Sequence, residues 1–357
     1  MRWNERGFTL IEMLVVVALL AIIMIGLLNL LDTSSKISVV ETELADTQEN
    51  VRFAAYHIMR TARMMGSAAL PIAANIGGND VWMAAALVSN ASGTLSSDLG
   101  SFTVAPGSDV LGLRGFFEIA PMFTDPNNVS SSAVIINESN AGRVINTGIS
   151  QIDIDSDGNP EGLKGRGIFF IGKMDQREYA VGQISADATL TGTAPDRVLT
   201  LSYAAGSTHW SDLNQAGTTF PPDFDVYRVG ILDSYTYYVD PDFTLQRLRA
   251  DGSTGGGTSE PVAINIGSLQ VAFGVDANNN AIIELGEWLS NPSVADVSDN
   301  PVLSMRITVL GRTGREVPDW VEPAATFQVE DMDMSAVSRF AKWRRIQVEA
   351  ALRNYLF

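Results

Sequence analysis

The stretch that decides the fold is Gly7-Phe8-Thr9-Leu10-Ile11-Glu12, followed by an almost unbroken apolar run from Met13 to Leu28 that Leu30 and Leu31 extend. From Phe8 to Leu31 the segment is long enough to cross a bilayer as a helix, which takes about 20 apolar residues. Ahead of it lies a short polar segment, Met1 to Gly7, carrying Arg2 and Arg6. Basic flanks of this kind stay on the cytoplasmic side, which places the bulk of the chain outside. A secretory signal that is removed ends in a small-residue cleavage site after its apolar stretch. Here the run passes into Asn29, Leu30, Leu31 and Asp32 and the helical pattern continues, so the segment is expected to be retained. Glu12 is out of place in it. A carboxylate at the edge of a membrane helix is costly, and it either finds a partner or reaches back to the interface.

Beyond Asp32 the helical period persists to about Met65. Ile37, Val40, Leu44, Val51, Ala54, Ile58 and Met65 recur at three- and four-residue steps, while Glu41, Glu43, Asp46, Glu49 and Arg52 suit a solvated face. Gly66 is the expected stop, and Pro71 bars the helix from resuming. A single helix from Phe8 to Met65 would be on the order of 85 Å long.

From about Ala68 the pattern changes to short β-rich runs divided by Gly, Pro, Asn, Asp and Ser. Expected strands are Asp109–Arg114, Ala133–Asn137, Gly167–Gly172, Tyr179–Ile184, Arg197–Tyr203, Ser234–Val239, Thr244–Arg249, Leu269–Val275, Ser304–Gly311 and Arg345–Leu352. Asp240-Pro241-Asp242 reads as the turn of a hairpin. The chain thus divides into a leader (1–7), a transmembrane half-helix (8–31), an amphipathic half-helix (32–66) and a β-rich head (67–357). The expected fold class is α+β, a long N-terminal helix packed on a globular head.

Composition narrows the function. With 357 residues, 46% hydrophobic and 18% charged, the chain can bury a sizeable core. It has no cysteine, which excludes disulfides, thiolate metal sites and cysteine nucleophiles. A net charge of −17 argues against nucleic acid as the ligand. Any histidine-based triad or metal site would have to be built from the two histidines, His57 and His209, so no enzymatic role is expected.

The segment Gly7-Phe8-Thr9-Leu10-Ile11-Glu12 before an apolar helix resembles the processing site of type IV pilins and of type II secretion pseudopilins. The resemblance implies a cut between Gly7 and Phe8 by a prepilin peptidase, N-methylation of Phe8, and pairing of Glu12 with the N-terminal amine of a neighbouring subunit. It also implies a lollipop architecture and a single-pass inner-membrane protein with its head outside, later part of a pilus at the cell surface. Implied partners are the major pilin, other minor pilins, the prepilin peptidase and the assembly platform. More loosely, the strand pair around Tyr237–Arg249, the run Val271–Asp276, the strand Met305–Arg312 and Trp343-Arg344-Arg345 resemble the larger minor pilins of the PilW-like type. The length favours these over the shorter J-type pseudopilins. The expected function is a minor pilin of the priming or tip complex, with a type II secretion pseudopilin or a tip adhesin as alternatives.

Two acidic loops are candidate calcium sites. Asp276, Asn278, Asn280, Glu284 and Glu287 occupy the first, third, fifth, ninth and twelfth places of a calcium loop, and Ile282 can offer its carbonyl at the seventh. The departure is Ala281, where an EF-hand has glycine. The second, weaker set is Asp153, Asp155, Asp157 and Glu161, with Lys164 where the bidentate Glu should stand. Clusters of Asp, Asn and Gly are also ordinary turn chemistry. The expected role of calcium is to brace a loop.

Overall fold

The computed structural model describes residues 9–67, 70–76, 78–97, 100–140, 144–152, 160, 162–172, 178–204, 210, 213–214, 218–224, 227–250, 257–314, 328–333 and 341–352. Helix α1 runs from Leu10 to Met64 as one 55-residue rod, on the order of 80 Å long. It contains a window of mean hydropathy 3.0, none of it buried against the head, and is long and apolar enough to cross a membrane. Farther along, one face turns inward: Thr47, Val51, Ala54, Ala55, Ile58, Thr61 and Ala62 are buried. The three alanines keep that face flat, so sheet residues approach the helix closely. The helix stops where Met65 turns extended and Gly66 takes a φ of 63°, a conformation that costs glycine little.

The head is framed by antiparallel strands: β1 (Ala85–Ser97), β2 (Gly100–Gly115), β3 (Gly167–Ile171), β4 (Tyr179–Ile184), β5 (Val198–Ala204), β6 (Tyr227–Val239), β7 (Leu245–Ala250) and β8 (Gly257–Ala263). After them come β9 (Ile266–Val275), β10 (Val302–Arg312) and β11 (Trp343–Ala351). Among the described residues, eleven strands join in a large sheet, and β9, β10 and β11, with the short strand Trp288–Leu289, form a smaller one. Strand β6 is the spine of the large sheet. Its first half, Arg228–Leu232, pairs with β3. Its second half, Tyr235–Val239, pairs with β7 on one side and, as far as Tyr237, with Leu111–Leu113 of β2 on the other. The turn between β6 and β7 is held by Asp240, whose Oδ1 accepts from Asp242 N at 3.0 Å and Thr244 N at 2.9 Å.

Both sheets meet α1 in one core. Val51, Ala54, Ala55, Ile58, Ala62 and Met65 pack with Leu111, Leu113 and Tyr237 of the large sheet, and with Leu269, Val271, Phe273, Ile307 and Val309 of the small one. Each large apolar side chain buried there contributes about 1.5–3 kcal/mol relative to exposure. A second cluster, including Ile168, Phe170, Leu199, Leu201 and Ile231, fills the far part of the large sheet away from α1. Where β6 passes from one half to the other, Asp233 is buried, 2.8 Å from Arg166. Its second oxygen accepts from Phe117 N at 3.1 Å and Glu118 N at 3.2 Å.

All ten expected strands lie within observed ones or overlap them closely. Among the strands the reading missed are β1 with the start of β2, the first half of β6, β8, and the short strands Ala73–Ile76, Asn79–Trp82, Met122–Thr124 and Thr189–Thr191. In β1, Ser-, Asn- and Gly-containing sequence with bulges near Val88–Gly93 breaks the two-residue alternation.

Candidate functional site

The N-terminal site begins with the cap of α1. Thr9 is the N-cap residue, and its Oγ1 accepts from Glu12 N at 3.3 Å. In return Glu12 Oε2 accepts from Thr9 N and from Thr9 Oγ1, each at 2.9 Å. This reciprocal capping box satisfies donors that an α-helix start otherwise leaves open. It also answers the question Glu12 raised in the sequence: within its own chain the carboxylate already has a partner. The signal for it, Thr followed three residues later by Glu, is legible in the sequence. The box engages only Oε2, leaving Oε1 outside it. Gly7 and Phe8 lie outside the described residues.

The Asp276 loop follows directly from β9. Asp276 is buried; its Oδ1 accepts from Asn280 N at 3.0 Å and its Oδ2 from Ala281 N at 2.8 Å. Asn278 Oδ1 also accepts from Asn280 N at 3.0 Å, and Asn280 Oδ1 from Ile282 N at 2.8 Å. The loop therefore winds around its own side-chain oxygens. Its far end is held differently, because Glu287 Oε2 accepts from Glu284 N at 2.9 Å while Glu284 Oε1 faces Asn280 Nδ2 at 3.4 Å. Ala281 takes a φ of 63°, the left-handed conformation for which glycine is customary at the sixth place. Among the described residues no three His, Asp or Glu side chains gather closely enough to hold a metal, so Asp276, Glu284 and Glu287 share a loop without converging. The second candidate set, Asp153, Asp155, Asp157 and Glu161, lies outside the described residues.

Of the histidines, His57 is half-buried on α1, with Nδ1 3.3 Å from Tyr237 Oη. Burial lowers its pKa, and the charges of Arg247 and Arg60 push the same way. His209 lies outside the described residues. Sequence reasoning passed over a third feature, the ion-pair network of Arg166, Asp233 and Glu118, with Tyr235 Oη donating to Glu118 Oε1 at 2.5 Å. These residues are scattered along the chain, and only the sheet brings them together.

Residues 4–28 match the prokaryotic N-terminal methylation motif. This N-terminal segment is type IV pilin-like. The match covers the end of the polar lead-in, residues Gly7 and Phe8, Glu12 and most of the membrane-length half of α1. Curated proteins give no match to the chain. Among solved structures, a type IV-like pilin from Thermus thermophilus is similar at 11% identity and a TM-score of 0.24, over 54% of this chain and 87% of that one.

Proposed function

We propose that the chain is a minor pilin of a type IV pilus. In this reading a prepilin peptidase cuts between Gly7 and Phe8 and Phe8 is N-methylated. The subunit then enters the filament through α1, within the complex that primes or tips it, beside the major pilin and other minor pilins and by way of the assembly platform. The observation that supports it most is the match of the methylation motif to residues 4–28, on a rod whose first half has no cover of its own. Before assembly that half is the single membrane pass, with the head outside the cytoplasm. The cap geometry suits the role given to Glu12. Thr9 keeps its N–H and hydroxyl after a cut before Phe8, so the carboxylate is held in place while Oε1 remains open to a neighbour's amine. Docking an amine there stabilises a charge that hydrocarbon would otherwise penalise.

The test is intact mass and N-terminal sequencing of the protein expressed with and without a prepilin peptidase. A peptidase-dependent chain beginning at N-methylated Phe8 is expected. A chain still beginning at Met1, or one cut beyond Leu31, would remove the basis of this reading.

For the Asp276 loop we propose calcium as the ligand, acting as a brace. The left-handed backbone at Ala281 supports this, since it supplies the sharp turn that the residue type alone argued against. Asp276, Asn278 and Asn280 would contribute side-chain oxygens and Ile282 its carbonyl, with Glu284 and Glu287 closing the set after Glu287 leaves the Glu284 amide.

A further inference from the structure

The two sheets are stitched together along one edge of β9 by three consecutive residues of β2. Gly107 O accepts from Gln270 Nε2 at 2.9 Å, and Ser108 Oγ accepts from Leu269 N at 3.1 Å. Asp109 reaches farther: its Oδ2 accepts from Val271 N at 2.7 Å and its Oδ1 from Asn90 N at 2.9 Å. Over this seam lies the small hairpin Gln328–Val329 and Met332–Asp333. Met332 lies within 3.8 Å of where a Cβ on Gly107 would stand, and Val329 and Met332 pack on Leu310. The hairpin turn places Glu330 and Asp331 near Asp109, close enough for both charges to act on it.

Among the described residues, the seam is short of donors. Gln270 is fully buried and its Oε1 has no partner, and Asp331 Oδ1 is likewise buried and unpartnered. Turning the Gln270 amide over does not help. Its Nε2 serves Gly107 O, Ser268 Oγ and Leu269 O, and a flipped amide would set oxygen against two carbonyls. Charge is unbalanced as well. Among the described residues, Asp109, Glu330 and Asp331 bring three acids here, and Arg306 is committed to Glu330 by bonds of 2.8 and 2.5 Å.

We propose that this seam is a proton-operated clasp: a proton held among Asp109 and Asp331 closes the 328–333 hairpin on β9 and β10, and its loss loosens the hairpin. A proton on either carboxyl adds a donor to the seam and removes one of the like charges. Burial pushes Asp109 up to about 7, with Asp331 and Glu330 pushing the same way against its two backbone amides. Burial also raises Asp331. The sign follows from linkage: a carboxyl raised by the fold favours its neutral form there. The cost of its charge is therefore full above about 7 and fades as pH falls toward the unfolded value of 3.8.

The test is hydrogen exchange of the full-length protein in detergent at about pH 5.5 and about pH 8, corrected for intrinsic exchange rates. Protection of 328–333 and of the β9 edge is expected to be about tenfold greater at the lower pH, the size of a one-unit shift. Asp331→Asn supplies an N–H donor and deletes a charge, so it should keep high protection at both pH values. That variant leaves Asp233 intact, so a change in global stability from Asp233 cannot mimic the result. Equal protection in the wild-type protein at both pH values would overturn the clasp, as would an undiminished pH dependence in Asp331→Asn.

Discussion

Gly311 of β10 presses directly on Val51 of α1: a Cβ on the glycine would fall 2.1 Å from Val51 Cγ2 and 2.8 Å from Thr47 Cγ2. At this point the α1 side chains rest directly on the β10 backbone. Thr47 also reaches the Arg312 carbonyl, at 3.4 Å. Gly311→Val would have to push α1 off β10, and overpacking of this kind costs about 1–3 kcal/mol. Urea unfolding of the detergent-solubilised chain should show that loss. Gly286→Ala, where nothing lies within 4 Å, should stay within about 0.5 kcal/mol of wild type. Equal midpoints for the two variants would mean that the contact does not hold the helix to the head.

A second prediction concerns the buried carboxylate of β6. Burial, with the charge of Glu118, pushes Asp233 up to about 6, while Arg166 and two backbone amides pull it down. Removing Arg166 leaves that charge uncompensated, which costs about 3–5 kcal/mol in buried pairs. The folded value exceeds the unfolded 3.8, so the penalty of ionised Asp233 is present above about 6 and is relieved as pH falls toward 3.8. The loss caused by Arg166→Met should accordingly be larger at about pH 8 than at about pH 5. Chemical denaturation at the two pH values measures it, and a loss independent of pH would point to packing alone.

The capping box separates two roles at the N-terminus. Thr9→Ala removes one arm of the cap and should cost about 1 kcal/mol of local helix stability, while leaving a carboxylate to meet an incoming amine. Glu12→Ala removes that carboxylate. Immunoblotting of sheared filaments should find Thr9→Ala incorporated close to wild type and Glu12→Ala strongly depleted. Equal incorporation of Glu12→Ala and wild type would sink the assembly role proposed for Glu12.

Calcium is tested by titration calorimetry of the full-length protein, comparing wild type with Glu287→Gln. Wild type is expected to release heat on binding, and the variant to bind more weakly, because the bidentate place is filled by a neutral amide. The absence of heat at millimolar calcium would leave the loop as a self-supported turn. Asp276→Ala is a different experiment. It deletes the acceptor of two backbone amides and should destabilise by about 1–3 kcal/mol without calcium present.

Much of this architecture was written in local patterns. The apolar run from Met13 to Leu28, the three- and four-residue steps from Ile37 to Met65, and the stop near Gly66 reappear as a helix ending at Met64. Strands such as Tyr179–Ile184 and Ala133–Asn137 were read at their observed ends. The spacing of Asp276, Asn278 and Asn280 reads as a calcium loop; it did not reveal that the loop winds on its own side-chain oxygens or that Glu287 would spend its carboxylate on the Glu284 amide. Strand β6, Tyr227–Val239, is buried along almost its whole length, so the alternation that marks a half-exposed strand is absent, and only its tyrosine-rich second half was read.

The sequence by itself determined the membrane-length rod and the β-rich character of the head, because each depends on residues near one another in the chain. Only the tertiary structure decided which acids are costly. Asp109 and Asp233 look like any turn or strand aspartate in the sequence, yet one is sealed against β9 and the other against Arg166. Their properties come from desolvation and from charges brought close by strand pairing. Neighbours 67 and 162 residues away along the chain leave no mark on local composition.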